Sequence, residues 1–183
     1  MLDESARQDL LTLARESLHA GVRLGVPGPF PQREYSPPLR EWRSSFVTLS
    51  RVGRLRGCCG RLEADRPLAE DVWENAYASG FRDPRFEPLL PHECEDLRIE
   101  ISVLSPLEKL EVHGIEELLA SLVPKKHGLL LGRGEDRVTF IPHVWESVAD
   151  ARSFVRSLRE KAGWPAEGWE SDLEVWRFEA ESF

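Results

Sequence analysis

Residues 97–103, LRIEISV, alternate without a break: Leu97, Ile99, Ile101 and Val103 on one face, Arg98, Glu100 and Ser102 on the other. A period of two is the period of a strand, whose successive side chains point to opposite faces. This segment therefore reads as a half-buried strand. A sheet covered on one face only is the mark of antiparallel pairing. Two more segments supply hairpins. In FVTLSRVGRLRGCCGRL, residues 46–62, strand formers flank a turn at Arg51, Val52 and Gly53, where Gly53 can take positive φ. HGLLLGRGEDRVTFIP, residues 127–142, folds back around GRGED. DLEVWRFEAESF closes the chain with another alternating strand, in which Trp176 reads as core.

Helical spacing appears elsewhere. Leu10, Leu13, Ala14 and Leu18 recur on one face of a helix from about Asp3 to Leu24, with Asp3 as its N-cap. RPLAEDVWENAYASGF, residues 66–81, places Leu68, Val72, Ala76 and Ser79 or Gly80 on one face. A short helix is expected near Ile115–Leu122, and another in VADARSFVRSLREKAG with Gly163 at its C-terminus. Between the first two lies GVPGPFPQREYSPPLREW, residues 25–42, whose five prolines and two glycines break regularity. Phe30, Tyr35, Leu39 and Trp42 are its expected anchors. Hairpins separated from helices predict an α+β fold with a mainly antiparallel sheet and flanking helices, in one domain over residues 1–183.

Composition narrows the function. Thirty-two acidic against 24 basic residues, a net charge of −8, leave no clustered cation for a nucleic-acid backbone. No apolar run reaches the ~18 residues of a membrane span. The acidic start MLDESARQDLL is unlike a secretory leader. Three cysteines suit a reducing cytoplasm. HEC at 92–94 lacks the repeated spacing of structural zinc, and GRGED lacks the lysine and helix of a phosphate loop. Neither metal nor cofactor is expected.

RLRGCCG, residues 54–60, is the segment with chemistry in it. Alternation sends Cys58 and Cys59 to opposite faces. Cys59 reads as a small apolar filler, and Cys58 shares its face with Arg56 and Gly60. Two readings stand. In one, Cys58 is a nucleophile or substrate-contacting thiol, since nearby positive charge favours the thiolate, with Gly57 and Gly60 opening a close approach. In the other, glycine and cysteine are there because a helix packs tightly against the strand.

LRGCCG (55–60), RPLAEDVWENAYASGFRDPRF (66–86), LRIEISVLSP (97–106), HGLLL and TFIPHVW follow one another in the order seen in the AMMECR domain family, whose signature is LRGCIG. The chain resembles that family from about residue 5 to its end. Cys59 stands in place of the usual Ile, and His143 where many members carry Gln. The resemblance implies a larger and a smaller subdomain around a cleft near the signature strand. It implies no established reaction. It does imply an association with a Memo-like protein and a radical S-adenosylmethionine protein in a modification pathway.

The resulting expectation is a small thiol-dependent enzyme or enzyme subunit built on Cys58. Arg56 would tune the thiol, and His127 or Glu100 would move protons. Asn75, Asp83, Arg85 and His143 join Gly57 and Gly60 as substrate-side residues, Arg being suited to hold a carboxylate or phosphate. The alternative is a non-catalytic adaptor that binds a partner protein through the same cleft.

Overall fold

The Asp3 carboxylate accepts a hydrogen bond from the Ala6 amide at 2.8 Å and caps helix α1, Glu4–Leu24. The helix ends on Gly25, left-handed at φ 70°. Leu10, Leu13, Ala14 and Leu18 are all buried, each leucine contributing roughly 1.5–3 kcal/mol. The computed structural model describes residues 1–183. They form two units, one of residues 1–104 with 181–183, the other of residues 105–180. The fold is mixed α+β with antiparallel strands and flanking helices, as the patterning requires.

In the first unit the proline-rich connection contains one helical turn, α2, Pro37–Arg40. Phe30 stacks on Tyr35 at 5.3 Å and meets Trp73 edge-on, and Leu39 is fully buried. Trp42 departs from the expectation. Its ring is 65% exposed, and what ties it down is a backbone bridge to Pro67.

Strands β1, Ser45–Arg51, and β2, Arg54–Gly60, form the predicted hairpin. Its two turn residues both have positive φ, Val52 at 49° and Gly53 at 71°, the requirement of a type I′ turn. Glycine accepts this freely. Valine does not, and a left-handed β-branched residue costs about 1–2 kcal/mol.

Helix α3, Leu68–Phe81, packs on this hairpin and on α1. Strand β3, Leu97–Leu104, pairs with β1, giving the antiparallel order β2-β1-β3. Phe183 extends the row by exchanging backbone hydrogen bonds with Ile101 at 2.9 and 3.1 Å. Val47, Leu49, Ile99, Ile101 and Val103 form the sheet's side of a core completed by α1 and α3.

The second unit contains β4 (Glu108–Lys109), α4 (Ile115–Ser121), β5 (His127–Arg133), β6 (Asp136–Phe140), α5 (Ala151–Lys161) and all but the last two residues of β7 (Glu174–Ser182). Strand β5 lies between β6 and β7, and β4 pairs with β7. Leu129, Leu131, Val138, Trp145, Phe154, Leu158 and Val175 fill its core. Trp145 stacks on Phe154 at 4.0 Å. Buried Arg159 gives Nε to the Pro165 carbonyl at 2.7 Å and takes Glu170 bidentately at 2.8 and 2.9 Å. Trp176 is a correction to the sequence reading. Its ring is half-buried between two cations, Lys109 at 5.7 Å and Arg137 at 5.4 Å, while Val175 and Phe178 beside it go inward.

Candidate functional site

The site is decided by a single extra residue. Along the hairpin Arg51 faces Arg54 and Ser50 faces Leu55, but Leu49 faces Gly57. Arg56 is therefore the surplus residue of a β-bulge, which re-aims everything beyond it. Without it, Cys58 would oppose Val47 on the core face. With it, Gly57 and Cys59 oppose Leu49 and Val47 on the core face, and Cys58 and Gly60 oppose Thr48 and Phe46 on the other.

Gly57 must be glycine because α3 comes up to its Cα. A Cβ there would overlap the Ser79 carbonyl oxygen, which is backbone and has nowhere to go. Beside it, the Ser79 hydroxyl enters the ladder. The Cys59 amide donates to Ser79 Oγ at 2.9 Å, and that hydroxyl donates onward to the carbonyl of Val47 or of Asn75, each 2.7 Å away. Gly60 serves a different purpose: a Cβ at that position would overlap the Phe46 ring.

The outer edge of β2 is closed by the loop after α3. The Cys58 amide donates to Asp83 Oδ2 at 2.9 Å. The Asp83 carboxylate is 4% exposed and also accepts from the Arg85 amide at 3.1 Å, Nε at 2.9 Å and Nη2 at 2.6 Å. Nη2 of Arg85 reaches the Cys58 carbonyl at 3.4 Å. Both main-chain groups of Cys58 thus go to Asp83 and Arg85. The Arg85 guanidinium, helped by the two amides, holds the Asp83 carboxyl far below the usual carboxylate range.

Above the clamp, the guanidinium carbons of Arg56 and Arg85 lie over the Phe86 ring at 5.9 and 5.5 Å. Arg56 itself is committed. Its Nε and Nη2 take the two Glu93 oxygens at 2.8 Å each, and its buried Nη1 has no partner. Glu93 also accepts from the Leu90 amide at 2.9 Å and lies 3.7 Å from Arg51. Arg56, more than the remaining partners, pulls its pKa down to about 2. The charge expected to favour a Cys58 thiolate is already balanced by Glu93.

The thiol meets Thr48. Sγ lies 3.3 Å from Thr48 Oγ1, and Thr48 in turn is opposite Glu100 on β3. Cys58, Thr48 and Glu100 form one cross-strand row, all three half-buried. Burial pushes both Cys59 and Cys94 up, and no cysteine is bonded to another.

The remaining sequence candidates lie elsewhere. Asn75 is buried on α3 and donates to the Ser45 carbonyl at 3.0 Å, Ser45 Oγ at 3.2 Å and Asp71 Oδ2 at 2.8 Å. Ser45 Oγ donates to the same Asp71 oxygen at 2.6 Å, while Asp71 Oδ1 faces Arg61 Nε at 3.1 Å in poor alignment. Desolvation raises the Asp71 pKa to about 6. His127 and His143 belong to the second unit. The buried His127 ring accepts from the Val123 amide at Nδ1, 3.1 Å, and burial pushes its pKa down. His143 is exposed, 3.7 Å from Glu146. No three His, Cys, Asp or Glu side chains gather as metal ligands would, and no helix is long and apolar enough to cross a membrane.

Sequence reasoning did not find Thr48, Ser79, Phe86 or Glu93. Thr48 carried a usable signal, because the turn register brings it within one residue of Cys58. Glu93 carried none, its partner lying 37 positions away.

The model of the AMMECR1 family matches residues 11–183. A protein of Methanothermobacter thermautotrophicus is 34% identical over the whole of this chain and 95% of its own length. One from Methanopyrus kandleri is 39% identical over 82% of this chain and 76% of its own. The crystal structure of an uncharacterized protein from Pyrococcus horikoshii superposes with a TM-score of 0.90 at 30% identity, over 99% of this chain and 92% of that one.

Proposed function

We propose, since this chain belongs to the AMMECR1 family, that it acts as a small thiol-dependent enzyme or enzyme subunit through Cys58. The observation that carries the reading is the mounting of that residue. Its amide and carbonyl are held by Asp83 and Arg85, and the residue is half-buried with its Sγ 3.3 Å from the Thr48 hydroxyl. A group held on both sides by a rigid scaffold is pre-organised for attack, and no ordering is left for the moment of reaction. In this reading Sγ adds to a substrate carbon doubly bonded to a heteroatom, whose π pair moves onto that heteroatom. The thiol proton leaves by way of Thr48 toward Glu100, the carboxylate beyond it in the same row. Arg85, half-exposed, faces an anionic group of the substrate. Arg56 positions the loop through Glu93 rather than tuning the thiol. The setting is the reducing cytoplasm, where free thiols persist.

The test is the pH dependence of iodoacetamide alkylation, read by peptide mass, with Cys59 and Cys94 as internal controls. Cys58 is expected to react well ahead of both. A rate for Cys58 no greater than that of Cys59 sinks the proposal.

A second reading is favoured by the balanced charge of Arg56, which leaves the thiol without an adjacent free cation. In that reading the same surface is an adaptor for a partner protein, a Memo-like or radical S-adenosylmethionine protein. Copurification with such a partner that survives Cys58→Ser supports the adaptor and not the enzyme.

A further inference from the structure

The hairpin turn holds a residue in a conformation that does not suit it. Val52 is left-handed at φ 49° and 85% exposed, at a position where asparagine or glycine is relaxed. Local folding gains nothing from a valine there, since its side chain packs on nothing. Strain retained at an exposed site points to use by something outside the chain.

Two other exposed apolar residues belong to this hairpin or to the loop bonded to it. Leu55, the last residue before the bulge, is 45% exposed, and Leu90 is 53% exposed. Leu90 is fastened to the hairpin by Glu93, which accepts its amide and binds Arg56 on β2. The charges around the tip are equally particular. Arg54 and Arg98 are exposed and form no ion pair, in a chain whose net charge is −8.

We propose that the tip of the β1–β2 hairpin is a docking knob that inserts Val52 into an apolar pocket rimmed by carboxylates on another protein. A projecting knob needs a concave partner, and the unpaired Arg54 and Arg98 select acidic groups at its rim. The proposal does not depend on the Cys58 reading, which concerns the other half of β2.

The test uses the full chain with a photo-reactive amino acid in place of Leu55, irradiated in the cells that naturally make it. The crosslinked peptide is then sequenced. The expected product is one discrete adduct to another protein, at a segment combining apolar residues with Asp or Glu. It is lost when Val52→Asn is added and weakened at least tenfold by Arg54→Glu. In parallel, Val52→Asn raises the melting temperature by about 2–4 °C, because asparagine relaxes the turn. No adduct, an adduct only to a second copy of this chain, a segment without acidic residues, or an adduct indifferent to Val52→Asn overturns the proposal. A lower melting temperature for Val52→Asn also overturns it, since valine would then be serving the fold.

Discussion

Thr48 Oγ1 stands 3.3 Å from Cys58 Sγ across the β1–β2 ladder. The two meet only because Arg56 is an extra residue in β2, shifting the register by one. The contact makes Thr48 a side chain whose removal changes the thiol without disturbing the strand.

Thr48→Val keeps the shape and removes the hydroxyl. A hydroxyl that donates to a thiolate stabilises the charged form, and hydrogen bonds to charged groups are worth about 1.5–3 kcal/mol. Alkylation of Cys58 at neutral pH is expected to slow by roughly tenfold, with the melting temperature nearly unchanged. An unchanged rate shows that the hydroxyl does not act on the thiol.

Gly57→Ala tests why the signature has a glycine there. The new Cβ meets the Ser79 carbonyl oxygen, so α3 or β2 has to move, at a cost of about 3 kcal/mol. A fall in melting temperature of roughly 6–12 °C is expected. A stability equal to wild type means that helix and strand are not in contact as described.

Glu93→Gln leaves Arg56 without its carboxylate on a mostly buried guanidinium, an effect of about 2–3 kcal/mol by denaturant unfolding. The pH dependence has a definite sign. The Glu93 pKa is about 2 in the fold and near 4.3 in the unfolded chain, so the wild type has this contribution above pH ~4.3 and loses it as pH falls toward 2. The stability difference between wild type and Glu93→Gln should shrink over that acid window.

Asp71 behaves in the opposite sense. Its pKa is about 6 in the fold and near 3.9 unfolded, so the folded state binds the proton more tightly. Its contribution is complete below pH ~3.9 and is lost as pH rises through 6, by about 3 kcal/mol in all. Denaturant unfolding from pH 4 to 8 should show wild type losing stability relative to Asp71→Asn. A flat difference across that range shows that Ser45, Asn75 and Arg61 compensate the buried charge fully.

The strands, the helices and the antiparallel class were legible in the sequence because each rests on a local rule. Alternation placed Leu97, Ile99, Ile101 and Val103 inward, and all four are buried. Asp3 capped α1 as its side chain demands. Where the local rule met a surface, it misjudged. Trp42 was expected to anchor the proline-rich connection and Trp176, by its place in the final strand, to be core, yet Trp42 is exposed and Trp176 only half-buried.

What the sequence alone determined, then, is the set of elements and the presence of a distinctive Gly-Cys-Cys-Gly strand, because propensity, capping and periodicity act over a few residues. The tertiary structure decided what that strand does. The bulge at Arg56 set which cysteine faces Thr48. Asp83 and Arg85 closed its edge from 25 and 27 positions away. Glu93, 37 positions from Arg56, balanced the charge that proximity in sequence had assigned to the thiol. Electrostatic partners are chosen by distance in space, and along this chain those distances exist only once α3 and its following loop have packed against the hairpin.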